Sequence, residues 1–153
     1  MLVVTVALAF AACSAGAPSD ADLAASKPVE EIAQEVLAAV TEAMTMRDEN
    51  LESIKEYYGY ELDKYASYVM YNPMIVNADT VHIVEVTDIA DIEAAKAELE
   101  ANRARVENNF SQYLPGPYEM AKQGEIVSKG RYAMLIISPN NAAGIEIFNN
   151  SIS

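Results

Sequence analysis

Thr80-Val81-His82-Ile83-Val84-Glu85-Val86, followed by Thr87-Asp88-Ile89 and a long helical pattern, is the stretch on which the fold turns. Its apolar residues fall on both faces instead of alternating with polar ones. That is the mark of a strand covered on both sides, so it reads as a central strand. Asp88 has the side chain of a helix N-cap, and Asp91 sits three residues on as a shorter capping-box acid. The spacing of Ile89, Ile92, Ala95, Leu99, Val106 and Phe110 predicts a helix running to about Tyr113. Asn102 and Arg103 interrupt this stripe, so that turn is expected to be less buried. Pro115-Gly116-Pro117 is expected to stop the helix.

Upstream, Tyr65-Ala66-Ser67-Tyr68-Val69-Met70-Tyr71 has the aromatic and β-branched content of a strand. Asn72-Pro73 should bend it, end it or put it at an edge, because proline has no donor for the ladder. Met74-Ile75-Val76 resumes the apolar run, and Asn77-Ala78-Asp79 reads as a turn. Leu51 to Tyr58 predicts a short helix stopped by Gly59, and Arg47-Asp48-Glu49-Asn50 a polar break before it. Further upstream, Val29, Ile32, Val36, Leu37, Val40 and Met44 make one helical stripe, with Pro28 in the first turn and Glu30 and Glu31 at the positive helix end.

Downstream, Glu125 to Ser128 and Arg131 to Ser138 predict two strands joined by a tight turn at Lys129-Gly130. Ala133-Met134-Leu135-Ile136-Ile137 is apolar on both faces, a second central-strand pattern. Pro139-Asn140 then opens a closing helix carrying Ile145, Ile147 and Phe148. The predicted fold class is α+β: a two-layer, mainly antiparallel four-stranded sheet with helices packed on one face.

The chain has 153 residues, of which 52% are hydrophobic, enough for one core and too much for a disordered chain. Its net charge is −13, from 23 acidic and 10 basic side chains. The basic residues are scattered singly, which excludes a nucleic-acid partner, since that needs Lys and Arg gathered on one face.

Cys13 is the only cysteine, so no intramolecular disulfide is possible. It ends the uncharged run Leu2 to Ala12 and precedes the small, flexible Ser14-Ala15-Gly16-Ala17-Pro18-Ser19. The run is shorter than the roughly 20 residues of a spanning helix and fits a signal-peptide core. This arrangement resembles a bacterial lipoprotein signal, which implies that Cys13 is a lipid attachment site. Phe10 stands where such signals usually carry an aliphatic residue, and no Lys or Arg precedes the run, so the true start is expected upstream of Met1. The expected organisation is a signal peptide at 1–12, a lipidated cysteine and flexible linker at 13–27, and a single α+β domain at 28–153. The expected location is the extracytoplasmic face of the cell membrane, held there by the N-terminal lipid.

Further motifs carry a second resemblance. They are Tyr58-Gly59, the strand end Val84-Glu85-Val86-Thr87-Asp88, the helix end Tyr113-Leu114-Pro115 and the hairpin Gly130-Arg131-Tyr132 leading to Ile137-Ser138. Together they resemble a domain of unknown function found in small bacterial lipoproteins, the DUF4358 type, over roughly residues 28 to 150. The resemblance implies an anchored extracytoplasmic protein and transfers no catalytic residues.

No glycine-rich phosphate loop or nucleophile elbow occurs between residues 59 and 130. His82 is the only histidine and reads as a strand residue satisfied by a neighbour. The carboxylates lack the spacing of a calcium loop. No enzyme activity, cofactor or metal is therefore expected. The tyrosines stand out: Tyr57, Tyr58, Tyr60, Tyr65, Tyr68 and Tyr71 crowd one region. Tyr57, Tyr58 and Tyr60 are the candidate binding patch, since tyrosine offers a flat apolar face with a polar tip; the plainer reading packs all six into core and rim. The leading expectation is an interaction domain for a protein or envelope component. The alternative is a small-ligand-binding accessory domain of a transporter system, which requires a pocket near the tyrosines lined by a few converging polar groups.

Overall fold

The computed structural model describes residues 19–112 and 114–153; Cys13, the run before it and Tyr113 lie outside them. Helix α1 (Val29–Val40) leads to a short strand β1 (Thr45–Arg47), a helical turn π-wound over Ser53–Tyr57, and the long strand β2 (Tyr65–Pro73). Strand β3 (Thr80–Val86) is the stretch quoted first; helix α2 (Ile92–Phe110) follows it. Helix α3 (Pro115–Lys122), the hairpin β4 (Glu125–Lys129) and β5 (Tyr132–Ile137), and helix α4 (Asn141–Asn150) complete the order.

The strands form one antiparallel sheet in the order β1-β2-β3-β5-β4. The central position of β3 follows from its sequence, since six of its seven residues are buried. Across the sheet, Met70, His82 and Leu135 lie opposite one another, as do Tyr71, Val81 and Ile136. The α+β class and the antiparallel sheet stand as expected. The sheet has five strands and not four, because β1 adds along β2 with Thr45 opposite Pro73.

The layering also differs from the expectation. Helices cover both faces of the sheet, giving three layers. Met70, Val84, Val86, Leu135 and Ile137 pack against Leu99, Val106 and Phe110 of α2 and Ala121 of α3. Val69, Val81, Ile83, Met134 and Ile136 pack against Ile32 and Val36 of α1 and Phe148 of α4. Strands apolar on both faces need this, because either bare face would leave a broad apolar surface in water.

Local chemistry explains the element ends. Asp88 accepts from Ala90 N at 2.9 Å and starts a 3-10 turn (Ile89–Asp91) that leads into α2. Pro115-Gly116-Pro117 does more than end α2: it forms the first turn of α3, where a missing proline N–H costs nothing. In the β4–β5 hairpin Lys129 faces Tyr132, so the two turn residues are Gly130-Arg131, one later than expected, with Gly130 at φ +57°. Met74-Ile75-Val76 is not a strand; it belongs to the loop between β2 and β3, with Ile75 88% exposed.

The segment assigned to the linker is fastened to the domain over its last residues. Ala24 and Ser153 exchange two backbone hydrogen bonds, and Ser26 N donates to Ser151 O at 2.8 Å. Tyr132 Oη adds a fourth tie by accepting from Ala25 N at 3.1 Å. The ordered domain therefore begins before residue 28. Among the described residues no helix is long and apolar enough to cross a membrane.

Candidate functional site

The tyrosine-rich turn is built by short-range hydrogen bonds. Asp48 accepts from Asn50 N and Ser53 Oγ, and Asn50 accepts from the backbone of Glu52 and Ser53. The turn ends at Gly59, whose φ of +75° is strained for any other residue. That reversal sends consecutive tyrosines in opposite directions. Tyr57 is 53% exposed, Tyr58 half-buried, and Tyr60 only 2% exposed. Of the three candidate patch residues, Tyr57 and Tyr58 share a surface and Tyr60 does not. Tyr60 is core, in edge-to-face contact with Tyr65.

Beneath Tyr57 and Tyr58 lies a cleft of about 200 Å³. Its floor is His82 from β3, Asn72 from β2, and Asn102 and Val106 from α2; Met46 of β1 and Pro73 form an apolar side. Arg105 of α2 lies over both tyrosine rings, 5.0 Å from the centroid of Tyr57 and 5.7 Å from that of Tyr58. The two rings meet edge to face at 4.9 Å. Cation–π contact of this kind holds the guanidinium at the mouth of the cleft.

His82 is 1% exposed and bonded at both nitrogens. Asn72 presents its Oδ1 to Nε2 at 2.9 Å, so Nε2–H donates there, and Nδ1 accepts from the Tyr60 hydroxyl at 2.7 Å. Burial, helped by the positive charge of Arg105, pulls its pKa down to about 3, so the ring is neutral near neutral pH. The strand histidine is thus satisfied by neighbours, as expected. Burial first, and then the charge of Asp48, raise the Tyr58 phenol, which stays protonated too.

Asn102 reverses the expectation that its turn would be less buried. It is 2% exposed, donates to Tyr58 O and Glu98 O at 2.9 Å each, and accepts from Arg105 through Oδ1. One amide thus ties α2 to the tyrosine turn and aims the guanidinium.

Two polar side chains in this cleft keep unpaired donors. Asn72 is 3% exposed, yet its Nδ2 has no partner among the described residues. Arg105 makes no ion pair there either. Seven of the ten basic side chains do, Arg103 with both Glu100 and Glu107. Of the remaining three, Lys129 donates to Asn149 O and Lys55 is exposed. Two larger hollows lack this property. One, of about 310 Å³, has its Arg47 and Glu49 paired with each other. The other, of about 510 Å³, has its Glu85 held by Ser67, Tyr132 and Arg131. Among the described residues no group of three His, Cys, Asp or Glu side chains is placed to hold a metal ion.

Beside the cleft runs an apolar rim. Met44, Met46, Met74, Ile75 and Val76 are all exposed, and the two segments that carry them are joined by Asn77 Nδ2 donating to Met44 O at 3.1 Å.

Sequence reasoning found Tyr57 and Tyr58 and missed Asn72, Asn102 and Arg105. The available signal was Asn102 itself: a polar residue in the middle of an apolar stripe, with Arg105 one turn further on. No curated protein and no solved structure matches the chain. The domain of unknown function DUF4358 matches residues 38–138, from the end of α1 to the residue after β5, which takes in every residue of the cleft. The protein belongs to the DUF4358 family.

Proposed function

We propose that this protein is a lipid-anchored, extracytoplasmic binding domain without enzymatic activity, and that it takes a small ligand in the cleft beneath Tyr57 and Tyr58. One observation carries the binding reading: Asn72, whose buried Nδ2 has no partner among the described residues, lines an open cleft. An orphaned buried donor costs about 1–3 kcal/mol, a penalty that an acceptor on a ligand would remove. The cleft is below the roughly 300–1,000 Å³ of drug-sized sites, so the ligand is small. The anchoring reading rests on the sequence around Cys13 alone.

Two measurements test the two parts. Full-length protein expressed in a bacterial host should label with a fatty-acid probe and sediment with membranes, and Cys13→Ala should abolish both. A Cys13→Ala protein that stays on membranes without lipid label refutes the anchor. For the binding part, methyl NMR signals of Met46 and Val106 should shift saturably with at least one member of a small-metabolite panel; no response across the panel refutes the cleft as a site.

The apolar rim supports a second reading, a protein partner seated on Met44, Met74, Ile75 and Val76. Its signature would be capture of one partner by crosslinking in intact cells, lost when Ile75 and Val76 are replaced by serine.

A further inference from the structure

We infer that the ligand of this cleft is a small organic carboxylate with an apolar or aromatic body, its carboxylate gripped by Arg105 and Asn72; this rests on the cleft being the binding site.

The hydrogen-bonding valences that remain free in the cleft define its ligand. Asn102 uses both donors and its acceptor on protein groups. His82 uses both ring nitrogens, and Asn72 uses its oxygen on that ring. Among the lining side chains, Asn72 keeps its Nδ2 donor free at the buried end and Arg105 most of its guanidinium free at the mouth; the Tyr57 and Tyr58 hydroxyls and the exposed Asn109 amide are also without a hydrogen-bond partner among the described residues. Arg105 gives one N–H to Asn102, and its other N–H groups have no partner among the described residues. Asn72 Nδ2 and Arg105 can only donate, and Arg105 is a permanent cation; the hydroxyls and the Asn109 amide can turn to suit either role. A ligand that satisfies Asn72 and Arg105 offers acceptors, and one with a negative charge also pairs the guanidinium. A cationic amine would leave Asn72 Nδ2 unpaired and face the charge of Arg105.

The geometry of a single guanidinium narrows the anion. Its planar fork matches the two oxygens of a carboxylate, and such pairs form shorter and stronger bonds than neutral ones. A phosphate dianion would bring a second charge with no second cation here, in a protein that is already at −13. The His82 ring cannot supply that cation while it is neutral.

The rest of the lining sets the body of the ligand. Met46, Pro73, Val106 and the face of Tyr58 are apolar. A dry apolar cavity of about 150 Å³ accommodates benzene. A cleft of about 200 Å³ therefore has room for one ring and its carboxylate. Tyr57 and Tyr58 pre-orient Arg105 by stacking, and Asn102 fixes its roll, so little side-chain freedom is lost on binding. Arg105 sits at the mouth and carries little of the core, so it can be changed without unfolding the domain.

The test uses four probes on the full domain, followed through the Met46 and Val106 methyl signals and by thermal unfolding: sodium benzoate, benzamide, benzylamine and inorganic phosphate. Benzoate should bind saturably, at least tenfold tighter than benzamide, with no response to benzylamine. Arg105→Gln should weaken benzoate at least tenfold and benzamide by a smaller factor, in a domain that still unfolds cooperatively. Arg105→Lys, which keeps the charge without the fork or the stacking, should fall between. If benzamide or benzylamine binds as well as benzoate, or Arg105→Gln binds benzoate normally, the carboxylate assignment is wrong and the cleft remains a ligand site. If phosphate displaces benzoate as the tighter ligand, the assignment is also wrong. If no probe moves either methyl at millimolar concentration, the site itself is refuted together with the inference.

Discussion

His82 lies at the centre of the molecule, between a tyrosine hydroxyl and an amide, and its protonation is coupled to the stability of the whole fold. The unfolded chain takes up a proton near pH 6.5, whereas the folded chain resists until about pH 3 because burial disfavours the charge. Between those values the unfolded state binds more protons. Stability is therefore full above pH 6.5 and declines as the pH falls toward 3, by up to about 1.4 kcal/mol per pH unit. From pH 7 to pH 4.5 this one residue should account for about 3 kcal/mol of the loss. Urea denaturation of the protein and of His82→Gln checks it. The variant is expected to be less stable at pH 7, where it loses the bonds to Tyr60 and Asn72. The gap should narrow steadily down to pH 4.5. Parallel stability curves over that range would show that the ring is not the group responsible.

At the scale of elements, the α1–α4 crossing is the tightest feature of the second layer. A methyl at Gly144 would come within 2.3 Å of Ile136 Cδ1, 3.0 Å of Val36 Cγ1 and 3.2 Å of Val40 Cγ1. Helix α4 meets α1 and the sheet through this missing side chain, which is why a glycine stands in a helix interior despite its poor propensity. Gly144→Ala gains helix propensity and loses the close approach. The net expectation is a loss of about 1–3 kcal/mol from overpacking, read by chemical denaturation. Gly116, with open space around its Cα, is the control: alanine there should be neutral within about 0.5 kcal/mol.

The sheet interior was the part most legible in the sequence. β3 and β5 announced themselves, because seven- and six-residue runs with apolar side chains on both faces have few other homes. The same runs also demanded a helix layer on each side, a step that the two-layer expectation left out. β1 gave no signal: three residues, partly exposed, paired with β2 only through backbone bonds. Helix α3 was hidden because Pro115 and Pro117 stop one helix and start another with the same chemistry. The cleft was half legible. Tyr57 and Tyr58 are neighbours in sequence, but Asn72 and Arg105 come from a strand and a helix 33 positions apart, and only the β2–β3–α2 packing brings them together. Cys13, the clearest single motif, lies outside the described residues.

For the molecule as a whole, the two ends of the domain are one structural unit. Ile152 is fully buried against the α1–α4 layer, while residues 24–26 lie along 151–153 and Tyr132 holds Ala25 from beneath. Ile152→Ala should cost about 2–5 kcal/mol, the range for emptying a buried isoleucine site. Hydrogen exchange should then show the amides of Ala24, Ser26 and Ser153 losing protection well beyond the global change. Equal loss of protection in β3 and at these three amides would mean that the clasp has no independent stability.

That clasp has a mechanical consequence. A load entering the chain at residue 19 and borne by the sheet meets the 24–26 pairing before it reaches α1. Its three backbone hydrogen bonds are few beside the ladders of the sheet, so they yield first. Residues 20–27, once released, would span at most about 26–29 Å at the full extension of eight residues. The sheet, the tyrosine turn and the cleft between them would remain folded. The domain thus contains a breakaway link: under tension the folded sheet and cleft would move away from residue 19 by less than about 3 nm, and re-pairing of residues 24–26 with the C-terminus would draw them back.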